Sequence, residues 1–434
     1  TTAAAAATTP APPAGAPNWA VYHGGPAAEG ATTAGPSGRT PPAAAWNAHV
    51  DGQVYAEPVA AAGVVIVATE SDVVSALDAT TGAVRWSTTL GPPVKASTLP
   101  CGDIAPTVGV TSTPAVDPAA GVVHVLAFIR GAGHQLITLD LATGAVRSRV
   151  AADPPGLSPA VEQQRAALAL ANGRVYVAYG GLYGDCGAYK GAVVSFPVAA
   201  LDAPAATSAP RQSWVTTASR EAAVWGVSGP TVMPDGSLFI STGNAGTGTT
   251  FDGGDAVVHL SPGLTQLDVF APVNWRTLAT TDQDLGSSSP IPVAGKLVQA
   301  GKAGVAYLLD PAHLGGVGGQ LAQLQVCDRV WGGAAAASGV AYLPCRAGVV
   351  AVAVSGSSER VLWRSAAFDA GGPVLAGGSV WVPDLGGGDL VALDAATGKE
   401  RSRVHVGPLA HFATAGLGAG HLVVATLSGT VVAY

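Results

Sequence analysis

Side chains able to do chemistry are scarce in this chain. Only 11% of its 434 residues are Asp, Glu, Lys or Arg. The four cysteines form no C-x-x-C pair, which argues against a zinc ribbon or covalent haem. The nine histidines show no metal-ligand spacing, and no His/Asp arrangement supports Ser287-Ser288-Ser289 as a nucleophile. What stands out is an ordered series in the middle of the chain. It runs Gly184-Asp185-Cys186-Gly187-Ala188-Tyr189-Lys190-Gly191, then Trp225-Gly226, Ser241-Thr242-Gly243-Asn244, Asp282-Gln283-Asp284-Leu285-Gly286-Ser287 and Gly301-Lys302-Ala303-Gly304. The series sets carboxylates, an amide, an indole and an ammonium among glycine-rich turns. A carboxylate can take a proton from a hydroxyl, and an ammonium can polarise a carbonyl. Each residue also has a structural reading. Asp185 suits a turn, Thr-Gly-Asn makes a tight turn around a left-handed residue, and an Asp in the position of Asp282 or Asp284 can bond neighbouring backbone amides. Trp225 can serve as plain packing. Arg165, in Gln163-Gln164-Arg165, is a further candidate for the same place.

The elements that must position these residues come from a repeat. Leu77-Asp78-Ala79-Thr80-Thr81-Gly82-Ala83-Val84-Arg85-Trp86 returns as Leu139-Asp140 through Arg147 and as Leu393-Asp394 through Glu400, with a degenerate copy at Leu309-Asp310-Pro311. Each copy follows a short apolar run, and each full copy leads into another strand. A unit repeated this way cannot bury its own apolar faces, so the copies must stack. In the repeated turn, Asp bonds the backbone amides and Gly takes the left-handed conformation. Trp86, Trp363 and Trp46 are expected to lie flat between neighbouring units. The units open near Glu57, Thr113, Ala167, Gly229, Ser289, Gly333, Gly372 and Ala413. The eighth unit ends at Tyr434 without an outer strand. Ala43-Ala44-Ala45-Trp46-Asn47 resembles such a strand and could close the ring, which would remove exposed sheet edges. The expected fold is therefore all-β: an eight-bladed β-propeller of four-stranded antiparallel blades, closed by an N-terminal strand. Residues 18–434 are expected to form this single propeller, with long inserts at 197–213 and 245–254 and no helix of any length. Residues 1–17 are mostly Ala, Thr and Pro and read as a disordered linker or stalk.

Composition narrows the function classes. The net charge of −7 and the absence of a Lys/Arg cluster argue against nucleic acid as a partner. No apolar run reaches the roughly 18 residues of a membrane span. The Ala/Thr/Pro start reads as a linker left after removal of a signal peptide, so the chain is expected outside the cell or on its surface. Four cysteines in such a chain suggest two disulfides among three possible pairings. The favoured pairs are Cys327–Cys345, between the end of one blade and a strand of the next, and Cys101–Cys186, both in long connections on one face.

The turn phrase and the central series resemble the pyrroloquinoline-quinone (PQQ) repeat superfamily of quinoprotein-type propellers, over nearly all of residues 18–434. The order of the central motifs is similar to that of quinoprotein alcohol dehydrogenases, including polyvinyl-alcohol-type ones. That resemblance implies Asp185, Asn244 and Asp284 as calcium ligands and Asp284 as the catalytic base, with Asp282 as the alternative to Asp284 for the site carboxylate. It implies Trp225 stacked under the quinone and Lys302 on the quinone oxygens, with Arg165 as a further cofactor contact. Two carboxylates and one amide would leave coordination positions on Ca²⁺ for cofactor oxygens. The chain departs from the dehydrogenases in lacking their two adjacent cysteines, in having fewer loops and in having no haem motif.

Two functions are therefore expected. The first is a PQQ-like propeller acting as a binding or scaffold module of the cell exterior, with a protein or glycan partner and no cofactor. The alternative is a calcium- and PQQ-dependent dehydrogenase that oxidises an alcohol or a sugar by hydride transfer.

Overall fold

The computed structural model describes residues 18–203, 206–246 and 250–434. The expected linker at 1–17 lies outside the described residues, as do parts of both inserts. Eight antiparallel sheets follow one another along the chain as eight blades. Blade 1 shows the plan, with strands Val59–Ala61, Val64–Ala68, Val73–Asp78 and Val84–Thr89 in that order from the channel outward. The first three strands are almost wholly buried apolar residues, and the fourth alternates because one face meets solvent. Apolar side chains fill the space between successive blades. Ile66, Val74 and Trp86 of blade 1, for example, share a core with Val123, Ile137 and Leu139 of blade 2. Blade 4 adds a parallel edge at Gly316–Val317. Short helical segments interrupt the connections: two α-helices, Val198–Leu201 and Trp275–Thr280, and the 3-10 turns Tyr22–Gly24, Ala96–Thr98 and Leu285–Ser287.

The repeated turn is a device for joining blades. The Oδ1 atom of Asp78, Asp140 and Asp394 accepts the backbone N–H groups two and three residues on, plus the threonine hydroxyl. Oδ2 of each takes the guanidinium seven residues later, Arg85, Arg147 or Arg401. The glycine that ends the turn has a φ of +71° in all three copies. It also faces an indole ring: a Cβ on Gly82, Gly144 or Gly398 would come within 2.4–2.5 Å of Trp46, Trp86 or Trp363 of the preceding blade. Each of these indoles donates its N–H to a carbonyl of the same turn, at 2.9–3.1 Å. The expected inter-blade tryptophans are thus docked on the turn by shape and by a hydrogen bond.

The ring closes as expected. Trp46–His49 pairs antiparallel with Thr430–Ala433 and supplies the outer strand of blade 8, in the register Trp46 opposite Ala433. A second N-terminal feature was not expected. Residues 19–38 cross the channel and hydrogen-bond the first strands of several blades. Trp19 exchanges bonds with Ala60, Ala20 accepts from Val116, Pro26 from Val232, Glu29 from Ala336 and Gly30 from Leu375. Inside the channel the indole N–H of Trp19 donates to Glu57, which is 3% exposed and also accepts the backbone N–H of His23. Burial pushes the Glu57 carboxyl up to about 8. Two disulfides join Cys101 to Cys186 and Cys327 to Cys345, the two pairings favoured from the sequence. No described helix is long and apolar enough to cross a membrane.

Candidate functional site

Connections between blades, and the turns between second and third strands, lie on one face of the ring. They surround a cavity of about 690 Å³. Asp185, Trp225, Asn244, Asp282, Asp284, Lys302 and Arg165 all line it. Residues expected together from the order of their motifs thus line one cavity, contributed mainly by blades 3, 4 and 5 and the connections around them.

Glycines allow the central loops to interlock. A Cβ on Gly243 would stand 2.8 Å from Oδ1 of Asp284 and 3.1 Å from the indole nitrogen of Trp225. One on Gly286 would strike the Thr242–Gly243 backbone at 2.5 Å, and one on Gly301 would meet the Asp284 carbonyl at 2.5 Å. The Thr-Gly-Asn, Leu-Gly-Ser and Gly-Lys motifs are three surfaces of one packed unit. Asp284 sits at its centre, 4% exposed.

Both oxygens of Asp284 are engaged. Oδ1 accepts the backbone N–H of Asn244 at 2.6 Å, and Oδ2 lies 2.6 Å from Nζ of Lys302. The Lys302 ammonium also reaches Asp282 at 2.8 Å and stands 5.5 Å from the centre of the Trp225 ring. Asp284 is buried with Lys302, whereas the Asp282 side chain is 68% exposed. Burial raises the Asp284 carboxyl above its ordinary range, although Lys302 and the Asn244 N–H pull it back. Burial works against the Lys302 ammonium, but the two aspartates outweigh it, so its pKa is raised and it stays charged. Behind them Asp255, fully buried, accepts the Leu285 N–H at 2.9 Å, and burial lifts its carboxyl to about 8. Asp185 stands apart at the rim. It is exposed, has a φ of +53°, and its Oδ1 accepts the Tyr189 hydroxyl at 2.6 Å.

The aromatic continuation of this lining carries residues that the sequence motifs did not mark. Phe412 lies between Trp225, 5.9 Å away, and Trp331, 6.2 Å away. Arg165 caps the Phe412 ring at 5.4 Å and meets Asp103 at 3.3 Å, while Arg329 lies 5.0 Å over Trp331. One signal could have found part of this wall. Trp331-Gly332 repeats the Trp225-Gly226 dipeptide at another blade opening. Phe412 offers no such cue, since only folding brings the last blade opening to this point.

As a cation site the donors are poorly arranged. Asp284 has no oxygen free of a protein partner, and its nearest positive charge is a lysine of the chain itself. Among the described residues no three His, Cys, Asp or Glu side chains gather as a metal would require. For a quinone with several carboxylates, every lining cation is already matched or stacked.

The fold has many solved relatives. A quinohemoprotein alcohol dehydrogenase from Pseudomonas putida aligns with a TM-score of 0.74 at 14% identity, over 96% of this chain and 80% of that one. A europium-containing methanol dehydrogenase aligns at 0.69 and 16%, over 94% and 89%. BamB from Moraxella catarrhalis aligns at 0.62 and 15%, over 90% and 98%. At such identities the likeness is one of fold, and that fold spans dehydrogenases as well as BamB. No curated protein matches the sequence. The PQQ_2 family, described as "Outer membrane protein assembly factor BamB", matches residues 12–252, more than half of the chain. With the repeated turn, the eight blades and this match in agreement, the chain belongs to the PQQ-like repeat family of β-propellers.

Proposed function

We propose that this protein is a binding module of the cell exterior, and that its cavity holds a ligand directly, without a resident cofactor. One observation carries the reading: the Lys302 ammonium stands 2.6 Å from Asp284, whose other oxygen is taken by a backbone amide. The carboxylate that a metal would need is neutralised from within the chain. The two disulfides suit an oxidising compartment and support a place outside the cytoplasm.

A second reading has its own support. Asp185, Asn244 and Asp284, the residues that would hold Ca²⁺, line one cavity with Trp225, Arg165 and Lys302, which would contact PQQ. This is the calcium- and PQQ-dependent dehydrogenase reading, with Asp284 as the base. The bound quinone would supply the hydride acceptor. As they stand, however, the donors do not present an open cation site.

Titration with PQQ and Ca²⁺, monitored by quinone absorbance and tryptophan fluorescence, separates the two readings. The binding-module reading expects no saturable change and no dye reduction with alcohols. Tight, calcium-dependent binding together with dye reduction would overturn it in favour of the dehydrogenase.

A further inference from the structure

The lining of the cavity restricts the chemistry of what it can take. Five aspartates face one lysine and two arginines. The basic groups already have partners: Lys302 has Asp282 and Asp284, Arg165 has Asp103 and the Phe412 ring, and Arg329 lies over Trp331. An anionic ligand would enter a wall of net negative charge and find its cations occupied, which is unfavourable for recognition.

The apolar part of the lining is aromatic and continuous. Phe412 joins Trp225 and Trp331 into one wall. At the rim Tyr183 is 71% exposed, a high value for so large a ring, in the loop that the Cys101–Cys186 disulfide ties to the connection between blades 1 and 2. A tyrosine on a pinned loop offers a large contact area and loses little conformational freedom on binding. Beside it are polar groups with spare capacity. The side-chain amide of Asn244 makes no hydrogen bond among the described residues, and only one oxygen of Asp185 is used.

We infer that the cavity takes a neutral saccharide, with sugar C–H faces on the aromatic wall and hydroxyls bonded to Asn244 and Asp185. A saccharide combines an apolar face with uncharged groups that both donate and accept. An amide and a carboxylate can satisfy those groups without a free cation. The inference rests on the cofactor-free binding reading above.

The test is calorimetry and tryptophan-fluorescence titration of the intact chain with cellotriose, maltotriose and chitotriose, and with trigalacturonate as an anionic counterpart. At least one neutral trisaccharide should saturate with a Kd of about 1 mM or tighter, and trigalacturonate should not. Tyr183→Ala changes an exposed side chain and should weaken binding by about tenfold. Absence of saturation by all three neutral sugars, equal binding of trigalacturonate, or binding indifferent to Tyr183→Ala would each overturn the inference. Calcium-dependent PQQ binding would instead sink the cofactor-free reading beneath it. Silence from both PQQ and the sugars would sink the saccharide alone.

Discussion

Replacing Lys302 by methionine removes the charge that sits on Asp284 and keeps most of the side-chain volume. The Asp282 pairing contributes little, because that carboxylate is 68% exposed and screened by water. The Asp284 pairing is different. The two side chains are 14% and 6% exposed, and the aspartate would keep only the Asn244 N–H. Removing one member of a buried ion pair costs about 3 kcal/mol. Unfolding entropies of about 2.1 cal/mol/K per residue amount to roughly 0.9 kcal/mol/K for a chain of this length, so the expected fall in Tm is about 3 °C. The companion Asp284→Asn keeps an oxygen for the Asn244 amide and should cost less. The double variant should recover a coupling of about 1–3 kcal/mol relative to the sum of the single changes. The loss in Lys302→Met should also depend on pH. The Asp284 carboxyl is raised above its ordinary range, so acid protonates it readily, and once neutral it no longer needs the ammonium. The penalty should therefore be full at pH 8 and shrink towards pH 4. Thermal unfolding of the four proteins by near-UV circular dichroism at both pH values measures this. Additivity within about 0.5 kcal/mol, or an equal loss at both pH values, would refute the assignment of Lys302 as the counter-ion.

Three further outcomes are expected. Burial raises Glu57, Asp72, Glu162 and Asp255 to about 8 and Glu70 to about 7, so the folded state holds their protons and the unfolded state does not. Their contribution is whole below about pH 4 and is lost as pH rises through 7 to 8, whereas Asp78 and Asp140, held near 2, lose theirs only in stronger acid. Tm should fall between pH 5 and pH 9, and a Tm that rises over that range would contradict the burial of these groups. Gly144→Ala places a Cβ about 2.5 Å from Trp86 at a φ of +71° and should destabilise the chain by more than about 2 kcal/mol, read as a lower denaturation midpoint. The same change at Gly121, also at positive φ but with open space around it, should cost only about 1 kcal/mol. Equal losses at both glycines would show that the indole is not docked there. Replacing Cys101 and Cys186 by serine frees the loop that carries Tyr183 and Asp185. Hydrogen exchange should quicken across residues 182–190 and stay unchanged in blade 7, and uniform protection would argue that the loop is held by other contacts.

Blade count, blade openings, ring closure and both disulfides could be read from the sequence because each rests on a local or repeated signal. The Leu-Asp-x-x-x-Gly turn marks every interface where it occurs, and Trp46 near the start looks like the outer-strand Trp86 it imitates. The candidate cluster on blades 3 to 5 was legible for a related reason. Its glycines are packing contacts between neighbouring loops, and so they appear as motifs in a fixed order. What the sequence hid depends on contacts between distant parts of the chain. Phe412 packs against Trp225 with no periodicity to announce it. Residues 19–38 carry no copy of the repeat, and their hydrogen bonds to the first strands of the blades are made by backbone atoms that leave no sequence signature. The pairing of Lys302 with Asp284 was likewise out of reach, since spacing alone cannot say which partner a carboxylate chooses.

Trp46 belongs by hydrogen bonding to the last blade and by its indole to the first. The strand that finishes the ring is therefore anchored on blade 1 as well as on blade 8, through contacts with a turn close to it in sequence. Joining the two chain ends and cutting the ring elsewhere should leave the closed wheel intact. Deleting residues 43–49 should instead leave a raw sheet edge on blade 8, open to a neighbouring molecule.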